Sequence, residues 1–285
     1  MSNYVVSDTN LTAVANAIRS KTGGSSSLEF PDDFISEIGN IVPGGFDTLA
    51  ELEANTLTSW ANSTAATVSA YLFYNKTALT SVSYSSATAI GDYSFSGCTN
   101  LSTISFPKVK TTSSDSFSNC LALTTVSLPE ATSIAARSFS GCSNVTSVSL
   151  PKVTSFGNYA FLNCTSLTTF DINTDYTGSG KTAVFQGCSS LQLLDLEQGS
   201  SIGTNMFNGC TNLTTVVLRT TGSVCSLGNI NAFTGTPFAS NGSGGTLYVP
   251  EDLIATYQSA SNWSTILGYQ NNQIKAIEGS IYDES

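Results

Sequence analysis

A phenylalanine opens one unit after another along this chain, at Phe73, Phe95, Phe117, Phe139, Phe161, Phe185, Phe207 and Phe233, with spacings of 22, 22, 22, 22, 24, 22 and 26 residues. Three consecutive units align without a gap: FSGCTNLSTISFPKVKTTSSDS from Phe95, FSNCLALTTVSLPEATSIAARS from Phe117 and FSGCSNVTSVSLPKVTSFGNYA from Phe139. A fixed period of this size marks a repeat architecture. A lone unit cannot bury enough apolar surface to offset the entropy of ordering it, so successive units must stack and cover one another.

Within a unit the pattern is F-x-x-C-x-x-L-x-x-I/V-x-L-P, as in Phe139, Cys142, Val145, Val148, Leu150 and Pro151. Its last part alternates apolar and polar residues, the period of a strand with one buried face. Equivalent strands stacked about 4.8 Å apart give a parallel sheet. The expected inward column reads Trp60, Val82, Ile104, Val126, Val148, Phe170, Leu194 and Val216. LTSWAN at 57–62 then reads as a degenerate first strand and TLYVP at 246–250 as a last one. Units departing from the period, at 171–184 and 219–232, should bulge on the side away from the sheet or at its edge.

This motif resembles the cysteine-bearing, BspA-like leucine-rich repeat proteins of bacteria, and the resemblance spans residues 57–250. It implies a leucine-rich repeat solenoid: a right-handed superhelix with a parallel β-sheet on the concave face and mostly loops and short 3-10 turns on the convex face. Three regions follow: a small α-helical N-terminal module at 1–45, the solenoid at 46–250 and a C-terminal cap at 251–285. In the first, Asp8 or Thr9 can cap LTAVANAIRSK, where Leu11, Val14, Ala15 and Ile18 share one helical face. A second short helix starts at Pro31, and VPGG at 42–45 suits a hinge. In the last, Leu253, Ile254, Tyr257 and Trp263 are apolar enough to cover the final coil.

The stretch DTNLTAVANAIRSKTGGSSSLEFPDDFISEIGNI, about residues 7–41, is similar to an N-terminal module of tail-associated proteins from phages and prophages. That resemblance implies attachment of residues 1–45 to other virion tail proteins or to sister chains; a cap or flexible leader is the alternative. The start, MSNYVVSDTN, has neither a basic nor an apolar signal region, so no secretory signal is expected, and no 18-residue apolar run suggests membrane insertion. The expected location is a virion tail or an extracellular surface.

Chemistry is constrained by what is missing. The chain has no histidine, which removes Ser-His-Asp and Cys-His nucleophiles and the commonest zinc ligand. The formal charge of −10 argues against nucleic acid, whose recognition needs a dense Lys/Arg face. GSG at 178–180 before Lys181 and Thr182 only mimics part of a phosphate loop, because the G-x-x-x-x-G-K-[ST] spacing fails. No cofactor or metal is expected. Cysteines 98, 120, 142, 164, 188 and 210 fall one per coil between Phe and Leu, with Cys225 besides; inward-pointing and parallel, they read as buried free thiols acting as small hydrophobes, not as disulfides.

The outward columns of the sheet are the candidate binding surface. One reads Ser81, Thr103, Thr125, Ser147, Thr169, Leu193 and Thr215; the other reads Ser83, Ser105, Ser127, Ser149, Asp171, Asp195 and Val217. Hydroxyl-lined strands suit sugar or water-mediated recognition, although Ser and Thr are also simply soluble strand residues. Asp171 beside Asp195 is the one charged feature. Lys108, Glu130 and Lys152 should form a charge ladder just beyond the strands, and Glu197 with Arg219 a second pair. The two resemblances imply a non-enzymatic tail-associated receptor-binding or fibre-tip protein that recognises a host cell-surface glycan or protein, with a bacterial surface adhesin as the alternative. An enzyme would need a clustered acid and base, for which only Asp171 and Asp195 come close. A homo-oligomer is compatible with either role, but no coiled-coil motif specifies one.

Overall fold

The structure is a computed structural model that describes residues 55–171, 175–177, 181–196, 198–237, 244–267 and 273–283. The expected helices at residues 9–40 and the hinge at 42–45 lie outside the described residues.

Each alternating segment forms a short strand: β1 (Ser59–Asn62), β3 (Ser81–Tyr84), β5 (Thr103–Ser105), β7 (Thr125–Ser127), β9 (Ser147–Ser149), β11 (Thr169–Asp171), β13 (Leu193–Leu196), β15 (Thr215–Leu218) and β17 (Thr246–Val249). Pairing is parallel and steps by one unit, so Val82 lies opposite Ile104, Val148 lies opposite both Val126 and Phe170, and Val216 lies opposite Leu194 and Leu247. Most of the inward column is buried, while Ile104 and Phe170 are half-buried. This ladder runs in three stretches, β1-β3-β5, β7-β9-β11, and one starting at β13; the second break falls at the first longer unit. TLYV is not the last strand: β18 (Ile274–Ala276) returns after the C-terminal helices and pairs with β17, Leu247 opposite Ile274.

The opposite side of the coil is not the run of loops and 3-10 turns expected of it. It carries a second parallel ladder of short strands, β2 (Thr67–Val68), β4 (Ala89–Ile90), β6 (Thr111–Thr112), β8 (Ser133–Ile134) and β10 (Ser155–Phe156), continued by β12 (Asp175–Thr177), β14 (Gln198–Ile202) and β16 (Ser226–Leu227). Backbone groups that face a neighbour in identical register bond to it, since an unpaired buried amide costs about as much as a lost hydrogen bond. The last residue of most of these strands, such as Val68, Ile90, Ile134, Phe156, Ile202 and Leu227, is buried. The longer unit keeps the ladder through a register shift between Asp175 and Thr177, and a 3-10 turn (Ile230–Phe233) follows β16.

The feature that runs through every coil is a stack of rings. Phe73, Phe95, Phe117, Phe139, Phe161, Phe185, Phe207 and Phe233 pack in sequence, with neighbouring centroids 5.0–5.7 Å apart and nearly parallel planes. This is within the favourable range for offset stacks. Beside it each repeat cysteine donates its Sγ hydrogen to the phenylalanine carbonyl of the preceding coil: Cys98 to Phe73, Cys120 to Phe95, Cys142 to Phe117, Cys164 to Phe139, Cys188 to Phe161 and Cys210 to Phe185. Each of Phe95, Phe117, Phe139, Phe161 and Phe185 also accepts the cysteine N–H of its own coil at the same oxygen. Cysteine thus fits for a reason besides size, as a small buried group with one weak donor where one acceptor waits.

The turn before each repeat cysteine, and before Lys76 in the first unit, needs a left-handed residue; Asn75, Gly97, Asn119, Gly141, Asn163 and Gly187 alternate there and Gly209 follows (φ 57–76°). The alternation is steric. A Cβ on Gly97, Gly141 or Gly187 would overlap the Asn Oδ1 of the coil before it.

At the C-terminal end, α1 (Ile254–Ser259) and α2 (Trp263–Leu267) close the core. Fully buried Trp263 packs against Phe233 at the end of the ring stack. Its indole Nε1 donates to the Cys225 carbonyl (2.6 Å), and the Tyr257 hydroxyl accepts the Cys225 N–H (2.9 Å). Both backbone groups of Cys225 are therefore satisfied by the two helices.

Candidate binding surface

Pleating sends the residues between the apolar ones outward, and the parallel register lines them up. Ser81 stands beside Thr103 and Ser83 beside Ser105; Thr125 stands beside Ser147 and Ser127 beside Ser149. Neighbours in a column are about 4.8 Å apart, and the two columns are about 6.6 Å apart along the strand. Thr103, Ser105, Thr125, Ser127 and Ser149 are exposed and Ser147 is half-buried. The backbone of Thr169 and Asp171 belongs to β11, but their side chains lie outside the described residues, and with them the pairing of Asp171 and Asp195.

The hydroxyls fall into two populations that the sequence does not distinguish. In the position just before each strand, Thr80, Ser102, Thr146 and Thr168 donate to the backbone carbonyl one coil back, at 2.7–3.2 Å. Those hydroxyls are engaged in holding coil to coil. The hydroxyls of Thr103, Ser105, Thr125, Ser127, Ser147 and Ser149 bond to no other side chain or backbone group among the described residues. They remain free for water or a ligand. No charged side chain stands in these columns from Ser81 to Ser149. At the rim, Lys152 Nζ and Glu130 Oε1 make an exposed ion pair at 2.7 Å, a contact worth at most about 1 kcal/mol.

Farther along, the surface is closed over. Leu193 is exposed and Thr215 half-buried, but Val217, in the same column as Ser149, is fully buried. Tyr248 packs edge-on against Tyr282 at 4.8 Å, and Arg219 Nη1 donates to the Tyr282 carbonyl at 2.8 Å, so the segment near residue 282 lies over these last strands. The expected pairing of Arg219 with Glu197 lies outside the described residues. Arg219 forks onto Asp195, Nε to Oδ1 and Nη2 to Oδ2, both 2.9 Å. Asp195 is thus a neutralised anchor for the tail, not a free carboxylate. The sequence hints at this only through Arg219 standing one coil after Asp195; the tail contact links residues too distant for any periodicity to reveal.

Among the described residues no group of three His, Cys, Asp or Glu side chains is placed to hold a metal ion. All seven cysteines are free and buried. Burial pushes the Cys98, Cys210 and Cys225 thiols up to about 12, and those of Cys120, Cys164 and Cys188 well above the ordinary thiol range. Such groups are not nucleophiles near neutral pH. No helix among the described residues is long and apolar enough to cross a membrane.

Comparison with known proteins agrees with this geometry. A sequence profile described as "BspA type Leucine rich repeat region" matches in six copies, at residues 66–177 and 110–237, more than half of the chain. A solved leucine-rich repeat protein from Bacteroides ovatus is 21% identical with a TM-score of 0.51, over 79% of this chain and 58% of that one. A leucine-rich repeat protein from T. pallidum is 20% identical with a TM-score of 0.45, over 74% of this chain and 84% of that one. A leucine-rich cell surface protein from Faecalibacterium prausnitzii is 19% identical with a TM-score of 0.34, over 79% and 80%. No curated protein matches.

Proposed function

Because the chain belongs to the BspA type leucine-rich repeat family, we propose that it is a non-enzymatic attachment protein whose sheet face binds a cell-surface glycan or protein. One observation carries this reading: an uncharged, largely exposed face on β5, β7 and β9 on which six hydroxyls have no partner among the described residues. Hydroxyls in water are already hydrogen-bonded, so a ligand gains by replacing ordered water with matching donors and acceptors. A polar ligand with repeated hydroxyls or amides suits that exchange better than an apolar one.

The reading is tested with Thr125→Arg/Ser127→Arg, which places two long cations on the face without touching the core. Wild-type chain applied to arrays of bacterial and animal surface glycans and to intact cells should bind at least one, and the variant should bind at least tenfold more weakly with an unchanged melting temperature. Equal binding by the two proteins would move the contact elsewhere.

Two settings fit such a role. A virion tail is favoured by the pattern of residues 7–41, with residues 1–45 joining the solenoid to other tail proteins or to sister chains. A bacterial surface is favoured by the family. Fractionating an induced culture of the source organism separates them: the chain sediments with tail proteins in the first setting and with the cell envelope in the second.

A further inference from the structure

Away from the sheet, the first turns of the solenoid hold a cluster of aromatic residues. Tyr71 and Tyr93 occupy the same position one coil apart and stack with centroids 5.0 Å apart and planes 13° apart. Tyr74 meets both edge-on, at 5.8 Å and 6.4 Å. All three rings are half-buried, held by one another yet reachable. Among the described residues no other three partly exposed rings touch each other.

The cluster sits at a strained place. Tyr71 and Tyr93 have left-handed backbones, φ 61° and 54°, a conformation natural for Gly or Asn and disfavoured for a bulky side chain. The equivalent residues in later coils, Asp115, Arg137, Tyr159, Ala183 and Asn205, share the conformation at φ 53–62°. The turn can therefore be made without tyrosine, and the rings call for a reason other than the fold.

Polar groups stand next to them. Asp92 is exposed; its Oδ1 accepts the Ser114 N–H at 2.9 Å, and its Oδ2 has no donor among the described residues. Next in the column, Arg137 Nε bridges both Asp115 oxygens at 3.2 Å and stays exposed. Burial, with help from Tyr93 and Asp92, raises the pKa of the Tyr71 hydroxyl.

We propose that Tyr71, Tyr74 and Tyr93, with Asp92 beside them, form a binding site for a neutral saccharide. A pyranose ring presents C–H patches and hydroxyls in alternation. The C–H groups pack on aromatic carbon, the sugar hydroxyls donate to Asp92 Oδ2, and the phenol hydroxyls exchange donors and acceptors with the rest. A cationic ligand fits less well, because Tyr71 and Tyr93 lie against each other and do not wall a box around a charge. The site is separate from the sheet face, and neither proposal depends on the other.

The test uses the full chain, titrated with maltotetraose, cellotetraose and chitotetraose by ligand-observed NMR, with tetramethylammonium as the cationic control. At least one tetrasaccharide should bind. The Tyr71→Asn/Tyr93→Asn variant, which suits the left-handed turns and should melt no lower than wild type, should bind it at least tenfold more weakly. Thr125→Arg/Ser127→Arg should bind it as wild type does. The proposal is overturned if none of the three sugars binds, if the tyrosine variant folds and still binds equally, if the sheet variant loses the same binding, or if tetramethylammonium displaces the sugar.

Discussion

Replacing Gly141 by Ala probes the contact between coils most sharply, because its two costs can be separated. Gly141 has φ +75°, and an L residue in that conformation costs about 1–2 kcal/mol. The new Cβ would also overlap Asn119 Oδ1 of the preceding coil. Asn119 must then leave its rotamer, at about 0.5–1.5 kcal/mol, and give up a long contact from Nδ2 to Ser118 Oγ at 3.3 Å. The single variant should therefore lose about 2.5 kcal/mol. Asn119→Gly alone should change little, within roughly 0.5–1 kcal/mol, since φ 59° suits glycine and the cost is chain entropy. In the double variant the overlap vanishes and only the left-handed strain remains. Urea unfolding of the four proteins, followed by circular dichroism, should give a coupling of roughly 1 kcal/mol, inside the range seen for residues in contact. Additivity within about 0.3 kcal/mol would refute the claim that Asn119 and Gly141 alternate for steric reasons.

Three further expectations follow from the interior and the tail. Phe139→Ala removes a fully buried ring stacked on both Phe117 and Phe161 and should cost about 3–5 kcal/mol by urea unfolding; a loss below 1 kcal/mol would show that the stack is incidental. Arg219→Ala frees the Tyr282 carbonyl and leaves Asp195 unpaired, so hydrogen exchange near residue 282 should accelerate at least tenfold while exchange in β7 and β9 stays unchanged. The thiols set an alkaline limit: folded values near 12 for Cys98, Cys210 and Cys225, against 9.0 for a free thiol, mean that the folded state keeps protons the unfolded chain gives up. Their contribution is complete below pH 9 and is lost as pH rises towards 12. The urea midpoint should fall over that window, and Cys98→Ala/Cys210→Ala should flatten the fall; an unchanged slope would contradict it.

Much of this fold is legible because polarity and period are written in side chains. Val82, Ile104, Val126 and Val148 alternate with Ser and Thr and recur at a 22-residue step. The second ladder is not legible, since two residues such as Ala89 and Ile90 are too few to display an alternation. It exists because stacking the longer strands brings their backbones into register as well. At the binding surface, Thr80 and Thr103 look alike as letters; only the backbone decides that one hydroxyl reaches a carbonyl and the other faces solvent. The burial of Val217 and the capture of Asp195 by Arg219 depend on a tail that folds back over the sheet, a contact that no local pattern encodes.

A thiol count tests most directly the claim that the coils stack in one register around a shared apolar column, leaving only the polar outer faces for recognition. Without reductant, the native chain should show no rapidly reacting thiol towards an aromatic disulfide reagent at pH 8, and the chain in guanidinium should show all seven. Fast labelling of the native protein, or fewer than seven thiols after denaturation, would contradict the account.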